Sequence, residues 1–375
     1  MPHILGYDFS RVELERRVGD LSQVFGVDLA ELRDGLERGI RILRFRSGSG
    51  LEFQVLVDRA FDIADMTFRG IPIGWKSAAG FRSPWLHEMS AEGGFSWFRS
   101  FSGLMTSCGL DHVHAPETDS GAHFHQPAKE TIFHPLHGRI GNTPARLKGY
   151  GVRWENDRCF LYADGEVSQA AVFAENLLLE RRIEIEVGAN TVSVRDRVSN
   201  LGFHPTPHAY LWHVNLGWPV VSEGTRLVAP IENTAWSLRA DEADERGARI
   251  QSAPRSPATP QVFDHRLKIE ADGTARAALV NDSFVTDSGV RGLAVEIAYD
   301  GHAMPSLFQW QYFQAGNYVV AIEPCTVHAG SRADWHKRGE FRVLQHGDHI
   351  DYRLDITPHQ GESAIKKLEG RVVGS

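Results

Sequence analysis

Beyond residue 40, hydrophobic and polar residues alternate with a period of two over several short segments. Residues 40–45 (Ile-Arg-Ile-Leu-Arg-Phe) and 51–57 (Leu-Glu-Phe-Gln-Val-Leu-Val) flank a Ser-Gly-Ser-Gly turn, which predicts a β-hairpin. Residues 182–187 and 191–195 alternate on either side of a Gly-Ala-Asn turn and predict a second hairpin. Further alternating segments predict strands at 318–323 and 352–357.

Glycine and proline interrupt these segments throughout the chain, which holds 36 glycines and 17 prolines. Short strands with frequent turn residues favour an all-β fold, a large antiparallel β-sandwich, over an α/β fold. The sequence shows neither a repeat of fixed period nor a low-complexity linker. We therefore expect one β-sandwich domain over residues 40–375.

The pattern before residue 40 is different and predicts a short helical segment. Asp28-Leu-Ala-Glu31 resembles a helix capping box, and Gly39 follows as a stop signal. Apolar side chains at helical spacing complete the pattern at Leu29, Leu32 and Leu36. Residues 1–39 are therefore expected to form a helical extension that covers a sheet edge or a partner subunit, so a homodimer is one expectation.

Composition argues against several classes of function. The chain of 375 residues has a net charge of −8, which disfavours a nucleic-acid surface because phosphate binding needs clustered lysines and arginines. No stretch approaches 18 apolar residues and the N-terminus lacks the pattern of a secretion signal, so no membrane contact is expected. The three cysteines, Cys108, Cys159 and Cys325, form no CxxC pair and suit a reducing compartment, which predicts a cytoplasmic protein.

Two histidines and one glutamate stand out because each is ionisable and surrounded by apolar sequence. His137 lies in Pro-Leu-His-Gly-Arg, His213 in Leu-Trp-His-Val-Asn, and Glu323 at the end of the strand predicted at 318–323. Histidine exchanges protons near neutral pH, and a buried carboxylate is costly without hydrogen-bond donors or a task. Pro324 should end the strand and place this carboxylate at the rim of a sheet. If the three groups converge, they indicate an acid/base enzyme acting on a small neutral molecule, with a sugar as the leading candidate.

Each of these residues also has a purely structural interpretation. Either histidine could be a hydrogen-bonded core residue, and Glu323 could form a salt bridge at a strand end. Arg59 and Asp62 leave a similar choice, because a buried guanidinium could hold a substrate oxygen or pair with a neighbouring aspartate. Trp97 and Trp310 could present aromatic faces to a sugar ring or belong to the core.

The segment 80–145 has weak periodicity and many histidines, glycines and aromatic residues, which is typical of a functional loop region. Two pairs of its histidines have an alternate spacing that could share one face of a strand: His112 with His114, and His123 with His125. Two imidazoles and a carboxylate can hold zinc or manganese, but this spacing matches no standard metal signature. We therefore expect no cofactor, with a divalent metal at these four histidines as the alternative.

Five short segments, taken in order, resemble the aldose 1-epimerase (galactose mutarotase-like) superfamily, and within it a branch of domains of unknown function. They are Val57-Asp-Arg-Ala-Phe-Asp-Ile63, Gly103-Leu-Met-Thr-Ser-Cys-Gly-Leu110, Pro135-Leu-His-Gly-Arg139, Leu211-Trp-His-Val-Asn-Leu-Gly-Trp-Pro219 and Ile322-Glu-Pro-Cys-Thr326. The resemblance runs from about residue 40 to 360 and implies a large antiparallel β-sandwich that binds a sugar. It also implies an isomerase that interconverts the anomers of a free or modified monosaccharide.

The resemblance assigns roles to the three ionisable residues. In such enzymes a histidine after a Leu-His-Gly turn orients the sugar, a second histidine acts as general acid, and a glutamate acts as general base. The matching residues here are His137, His213 and Glu323. The usual His-Pro-Tyr-Phe-Asn-Leu run is replaced by Trp-His-Val-Asn-Leu, so His208 is a competing candidate for the acid. Residues expected to contact the sugar are Arg59, Asp62, Trp97, Arg139, His208, Asn215 and Trp310.

Two other functions stay open on the sequence alone. An aldose–ketose isomerase or sugar epimerase, with or without a metal, would use the same acid/base residues together with the histidines of segment 112–125. A non-catalytic carbohydrate-binding protein would keep the sandwich without needing an acid/base pair. Arginines at positions 59, 82, 99 and 139 are available for an anionic group on the sugar, but the sequence does not place them together.

Overall fold

The structure, a computed structural model, describes residues 1–121, 130–239 and 245–374. Over these residues the chain consists mainly of antiparallel β-strands, as the alternating pattern predicts. In chain order the strands are β1 (His3–Ile4), β2 (Tyr7–Asp8), β3 (Gly26–Glu31), β4 (Arg41–Arg46), β5 (Leu51–Leu56), β6 (Asp62–Phe68), β7 (Ile71–Pro72), β8 (Met105–Cys108), β9 (Glu117–Ser120), β10 (Thr131–His134), β11 (Arg146–Glu155), β12 (Arg158–Ala170), β13 (Asn176–Glu186), β14 (Val192–Asn200), β15 (Thr206–His208), β16 (Leu211–Leu216), β17 (Arg226–Val228), β18 (Ile231–Ser237), β19 (Gln261–Leu267), β20 (Thr274–Val285), β21 (Arg291–Asp300), β22 (Ser306–Gln314), β23 (Asn317–Cys325), β24 (Arg342–Leu344) and β25 (His349–Gln360). The α-helices are α1 (Arg11–Glu15), α2 (Glu245–Arg249), α3 (Arg332–Arg338) and α4 (Glu362–Val373), and short 3-10 helices lie at Leu21–Gln23, Gly35–Glu37, Pro84–Leu86, Glu92–Gly94, Ser96–Arg99 and Ile140–Asn142.

Two large sheets contain most of these strands. The first has eight strands in the order β11-β12-β13-β14-β25-β21-β20-β17, and the second has eleven in the order β18-β19-β22-β23-β16-β8-β6-β5-β4-β3, with β7 attached to β6. One continuous cluster of buried hydrophobic side chains contains residues of both sheets, including Ile183 and Leu354 of the first and Trp212 and Ile322 of the second. The two sheets therefore pack face to face, which confirms the predicted β-sandwich.

Both hairpins predicted from the alternation are present. β4 and β5 form the first, with Leu43 opposite Val55 in the ladder. β13 and β14 form the second, with Ile183 opposite Val194. The strands predicted at 318–323 and 352–357 are confirmed as parts of β23 and β25, which lie inside the second and first sheets and not at their edges.

The helix predicted around residues 28–36 is wrong. Gly26–Glu31 forms β3, an edge strand of the eleven-stranded sheet, and its backbone pairs with β4. Leu29 and Leu36 are 42% and 51% exposed, so their helical spacing does not mark a buried face. Pairing with β4 satisfies backbone groups that a short isolated helix would leave to solvent, and this tertiary contact overrides the local capping signal.

The helices that do form are few and short. α1 begins with a capping box made by Ser10 and Glu13 and buries Leu14. α4 packs Ile365 and Leu368 against apolar side chains of the eight-stranded sheet. Across the described ranges, none of the helices is long and apolar enough to cross a membrane.

The guanidinium of Arg181 is buried between the two sheets. It comes from β13 and forms ion pairs with Asp196 of β14 at 2.7 Å and, across the sandwich, with Asp62 of β6 at 2.8 Å. It also donates to the Ser107 hydroxyl of β8 at 2.9 Å and to the Tyr210 hydroxyl at 2.6 Å. A buried charge is tolerated only when its donors are satisfied, and here acceptors of both sheets satisfy it. We call these five residues the Arg181 cluster.

The Arg181 cluster also determines the positions of neighbouring strands. The Asp196 carboxylate accepts a hydrogen bond from Trp212 Nε1 of β16 at 2.9 Å. The Asp62 carboxylate accepts from the amide and hydroxyl of Ser107 at 2.9 and 2.6 Å, which ties β6 to β8. The registers of β6, β8 and β16 therefore depend on one ionic network.

Replacing Arg181 with methionine should lower the free energy of unfolding by about 3–5 kcal/mol, because two buried carboxylates lose their counter-ion. Arg182→Met is the matched control, since Arg182 pairs with Asp164 on the same sheet but its side chain is 42% exposed. Loss of this exposed ion pair should lower the free energy of unfolding by no more than about 1 kcal/mol. Urea unfolding of both variants measures the difference, and equal destabilisation would contradict this account of the core.

Candidate active site

The candidate acid/base residues lie on the face of the eleven-stranded sheet that points away from the core between the sheets. Along β16, Trp212 and Val214 point into that core, so strand alternation turns His213 to the opposite face. Glu323 of β23 has the same orientation, because its neighbour Ile322 belongs to the core. Side chains from the loops of segment 75–136 cover this face and form a second buried layer with it.

The register of β16 and β23 sets His213 and Glu323 opposite each other. Val214 faces Ile322 in the antiparallel ladder. The next position along the two strands is that of His213 and Glu323, whose Nε2 and Oε1 atoms are 3.3 Å apart. Only 5% of each side chain is exposed. We call these two residues the His213–Glu323 pair.

The position of Glu323 corrects the prediction that Pro324 would end the strand. β23 continues through Pro324 to Cys325, and Pro324 faces Leu307 of β22 in an unbroken ladder. A proline removes only one backbone donor, so the pairs on either side hold the two strands together. Glu323 is consequently enclosed between β16 and β22 and does not lie at a sheet rim.

Hydrogen bonds of Asn215 determine which nitrogen of His213 carries the proton. The Asn215 amide nitrogen donates to the carbonyls of Gly103 at 3.0 Å and His213 at 3.1 Å, which leaves Oδ1 facing His213 Nδ1 at 2.6 Å. Because an amide oxygen only accepts, Nδ1 is the donor in this contact. The neutral imidazole therefore presents the lone pair of Nε2 to Glu323.

Burial shifts both groups of the pair toward their uncharged forms. It raises the pKa of Glu323 from 4.5 to about 8, and Oε1 has no hydrogen-bond partner in the part of the chain that the structure describes. Burial also lowers the pKa of His213 from 6.5 to about 3, although the hydrogen bond with Asn215 opposes this shift. Between these two values the pair holds one proton, which resides on the carboxyl group.

His137 reaches the pair from a tight loop. A Cβ at Gly138 would lie 2.3 Å from the Gly109 carbonyl oxygen, so only glycine fits there, as the Leu-His-Gly turn predicts. This close approach brings the His137 ring to 5.5 Å from the His213 ring, measured between centroids. The His114 amide donates to Nδ1 of His137 at 3.4 Å, which leaves Nε2 as the protonated nitrogen. Burial and the neighbouring His213 hold the pKa of His137 well below its ordinary range.

Aromatic side chains enclose the two histidines. The Trp97 ring lies 4.7 Å from the His137 ring and 5.6 Å from the His213 ring, between centroids. The rings of Phe101 and Trp310 lie 4.8 and 5.6 Å from the His213 ring. Such rings present apolar faces to a sugar and exclude water from acid/base groups. We call Trp97, Phe101 and Trp310 the aromatic wall.

Residues 37–357 match the protein family described as Domain of unknown function (DUF4432). The chain belongs to this family. The match begins just before β4 and ends within β25, so it includes every residue of the site described above. Among curated proteins, none matches the chain.

Three solved structures show the fold of this DUF4432 protein in other sequences. A protein from Klebsiella pneumoniae subsp. pneumoniae MGH 78578, called a "putative aldose 1-epimerase", is 21% identical with a TM-score of 0.81, over 94% of this chain and 90% of that protein. A galactose mutarotase-like protein from Clostridium acetobutylicum is 13% identical with a TM-score of 0.56, over 90% of this chain and 99% of that protein. Galactose 1-epimerase from Lactobacillus acidophilus NCFM is 11% identical with a TM-score of 0.54, over 90% of this chain and 99% of that protein. The chain therefore has the galactose mutarotase-like sandwich fold, as the resemblance implies.

Arg59 and Asp62, both expected to contact the sugar, do not pair with each other in this DUF4432 protein. The Asp62 carboxylate faces the core between the sheets as part of the Arg181 cluster. Arg59 donates to the backbone carbonyls of Gly141 at 3.2 Å and Ser100 at 3.1 Å. Arg59 is thereby attached to the 3-10 helix Ile140–Asn142 and to the segment between Trp97 and Phe101, whereas Asp62 is a structural residue.

His208 and Arg139, two further predicted contacts, bind other parts of the molecule. The ring nitrogens of His208 contact the Leu110 carbonyl and the Tyr352 hydroxyl, both at 2.7 Å. Arg139 donates to the Phe133 carbonyl at 2.7 Å. Since both nitrogens of His208 are occupied in the core, the geometry favours His213 as the proton-transferring histidine.

Of the four proposed metal-binding histidines, the structure describes His112 and His114. His123 and His125 lie outside the described residues. His112 donates to a backbone carbonyl at 2.8 Å, and the His114 ring packs against the Phe308 ring at 4.5 Å between centroids. Within the described ranges, no group of three histidine, cysteine, aspartate or glutamate residues could hold a metal ion.

Two residues at the site were not predicted from the sequence. Phe101 belongs to the aromatic wall, and Phe308 lies two residues before Trp310 on the same face of β22. Strand alternation from Trp310 would have indicated Phe308, whereas Phe101 lies in a loop with no such signal. Asn215, expected to contact the sugar, instead hydrogen-bonds to His213 and determines its tautomer.

Glu323→Gln should stabilise the fold at neutral pH. The pKa of Glu323 is about 8 in the folded protein and 4.5 in the unfolded chain. The folded protein therefore keeps a proton that the unfolded chain releases above pH 4.5, and the free energy of unfolding falls as the pH rises from 4.5 to 8. The neutral amide avoids this cost, and the variant should gain on the order of 3 kcal/mol at pH 7 and nothing at pH 4. Urea unfolding at both pH values measures the gain.

Glu232→Gln is the control for this experiment, since Glu232 is an exposed carboxylate on β18. It should change the free energy of unfolding little at either pH. A gain for Glu323→Gln of equal size at pH 4 and pH 7 would contradict the raised pKa of the buried carboxyl group.

Proposed function

We propose that the protein is an aldose 1-epimerase-like isomerase, which interconverts the anomers of a free or modified monosaccharide by acid/base catalysis. The observation that carries this proposal is the His213–Glu323 pair, in which Nε2 and Oε1 lie 3.3 Å apart beneath an aromatic wall. Oε1 of Glu323 is buried without a hydrogen-bond partner in the described residues, so its position suits a reacting group better than a structural one. A galactose 1-epimerase with the same fold supports this reaction class.

Anomer exchange requires one proton to leave the anomeric hydroxyl and another to reach the ring oxygen. One member of the pair accepts the hydroxyl proton while the other gives a proton to the ring oxygen, and the bond from the anomeric carbon to the ring oxygen breaks. The open-chain aldehyde then rotates about the bond between C1 and C2 and closes by the reverse transfers. Electrons and atoms balance without any oxidant or reductant.

A pair that holds one proton matches this reaction. During ring opening one proton arrives on the pair as another leaves it, so the total on the two groups stays at one. The two pKa values give the resting distribution, a neutral His213 and a protonated Glu323. From that state His213 Nε2 is the base and Glu323 the acid for ring opening, and the two roles reverse on closure. The resemblance implies that Glu323 is the base and His213 the acid. These are the roles that the two residues have during ring closure.

The remaining residues of the site position the sugar. His137 carries its proton on Nε2 and can donate a hydrogen bond to a sugar hydroxyl beside the pair. Trp97 and Trp310 supply aromatic faces for the C–H side of the ring. These groups would hold the anomeric carbon next to His213 and Glu323 while excluding water.

Freshly dissolved single anomers of hexoses, pentoses and their acidic derivatives should reach equilibrium faster with the protein than in buffer, as measured by polarimetry and NMR. Glu323→Gln and His213→Asn should each lower kcat by roughly 10²–10⁴-fold, because each removes one proton-transferring group. His302→Asn is the matched control, since His302 is exposed outside the site, and it should keep full activity.

The same NMR spectra separate the alternatives. A signal from a new sugar would favour an aldose–ketose isomerase or an epimerase at another carbon. Sugar binding without acceleration of anomer exchange across the panel would favour a non-catalytic binding protein. Full activity in both Glu323→Gln and His213→Asn would contradict the assignment of the pair.

The pH dependence of the reaction should follow the proton on the pair. After subtraction of the buffer-catalysed rate, kcat/KM should be constant from about pH 5 to 7 and fall tenfold per pH unit above about 8. The fall has a physical cause: ionised Glu323 beside neutral His213 leaves the pair without an acid. An increase in kcat/KM from pH 7 to pH 9 would show that the carboxylate alone is the working form.

A further inference from the structure

A second group of buried polar atoms without partners lies outside the His213–Glu323 pair. Nη1 of Arg59, Nε of Arg82 and Nε2 of His87 are each buried with no hydrogen-bond partner in the described residues. Arg59 is only 2% exposed, and Arg82 and His87 are partly buried. An unsatisfied buried polar group destabilises the fold, and more so when it is charged. Three of them together indicate that an acceptor is missing.

His87 interacts electrostatically with both arginines. The pKa of His87 is lowered to about 4, first by burial and then by the positive charges of Arg59 and Arg82, while Glu88 and Glu92 oppose this. Both carboxylates have other partners, because Glu88 accepts from a backbone amide at 3.2 Å and Glu92 from an arginine at 2.8 Å. The positive charges of Arg59 and Arg82 would be offset by a shared anion, to which the neutral His87 could donate one hydrogen bond.

Arg59 is anchored but not neutralised. Its hydrogen bonds go to the backbone carbonyls of Gly141 and Ser100, which hold the guanidinium plane in place and carry no charge. Burial lowers the pKa of Arg59 to about 10, so the group is still charged at neutral pH. A fixed guanidinium with one free nitrogen is suited to an oxygen of a carboxylate, phosphate or sulfonate.

The anchors of Arg59 connect this group to the catalytic pair. One of its carbonyl partners belongs to the residue directly before Phe101, whose ring lies 4.8 Å from that of His213. The other belongs to Gly141, where a Cβ would lie 3.8 Å from Trp97 Nε1. Ser100 and Phe101 are consecutive, so the loop that holds Arg59 also places Phe101 beside His213.

We propose that Arg59, Arg82 and His87 bind an oxyanion on the substrate, which makes the sugar an acidic aldose with its charged group remote from the anomeric carbon. The identity of the ligand as a sugar rests on the proposed function, whereas the anion site rests on its own donors. The chain carries a net charge of −8, so an anion approaching the protein needs a local positive group to offset the overall repulsion.

Calorimetric titration with glucose, glucuronate and glucose 6-phosphate tests the site, with polarimetry of the same sugars alongside. Wild-type protein should bind one or both acidic sugars at least tenfold more tightly than glucose. Arg82→Gln should weaken that binding 10–100-fold, raise KM with little change in kcat, and leave glucose unaffected. Arg44→Gln removes the same charge from an exposed position of β4 and should change neither.

The outcomes for the anion site and for the proposed function are distinguishable. Equal affinity of the wild type for all three sugars, or an equal loss for all three in Arg82→Gln, would overturn the anion site whether or not anomers exchange. Acidic sugars could bind more weakly to Arg82→Gln than to the wild type while their anomers interconvert no faster with the protein than in buffer. That result would support the anion site and contradict the proposed function. The difference in affinity between glucuronate and glucose 6-phosphate shows whether the site prefers a carboxylate or a phosphate.

Discussion

The buried charge of Arg181 is the constraint on which the geometry of the site depends. One guanidinium in the eight-stranded sheet binds carboxylates of both sheets, so the sandwich is joined by directional contacts as well as by apolar packing. A slip of one residue would turn every side chain of a strand to its other face and remove an acceptor from the cluster. Because the cluster includes Tyr210 and reaches Trp212 through Asp196, the same network determines where the next residue, His213, points.

The architecture and the candidate acid/base residues could be predicted from the sequence because each leaves a local signal. Period-two alternation reflects burial of one strand face, and it identified the hairpins that form β4 with β5 and β13 with β14. Ionisable residues in apolar surroundings identified His137, His213 and Glu323. Their convergence followed from the resemblance to known enzymes, since no local pattern specifies that two strands distant in sequence become neighbours.

Other features depend on contacts that a linear pattern does not contain. β3 has a capping signal but becomes a strand, because an open sheet edge offered its backbone partners. Pro324 remains inside a ladder because its neighbours supply the missing pairing. Arg181 lies in an ordinary alternating strand, and its role appears only when the second sheet is in place. Arg59, Arg82 and His87 are similarly unremarkable in sequence, and their electrostatic interaction appears only in the folded protein.

The opposition of His213 and Glu323 across one ladder has a consequence for how the family can diverge. An inserted or deleted residue inside β16 or β23 would rotate one of the two groups away from its partner, whereas a longer or shorter loop would leave both in place. Length variation among relatives should therefore accumulate in the covering loops, which carry part of the proposed sugar-binding surface. Such a division would let the covering loops change during evolution while the relative positions of His213 and Glu323 stay the same.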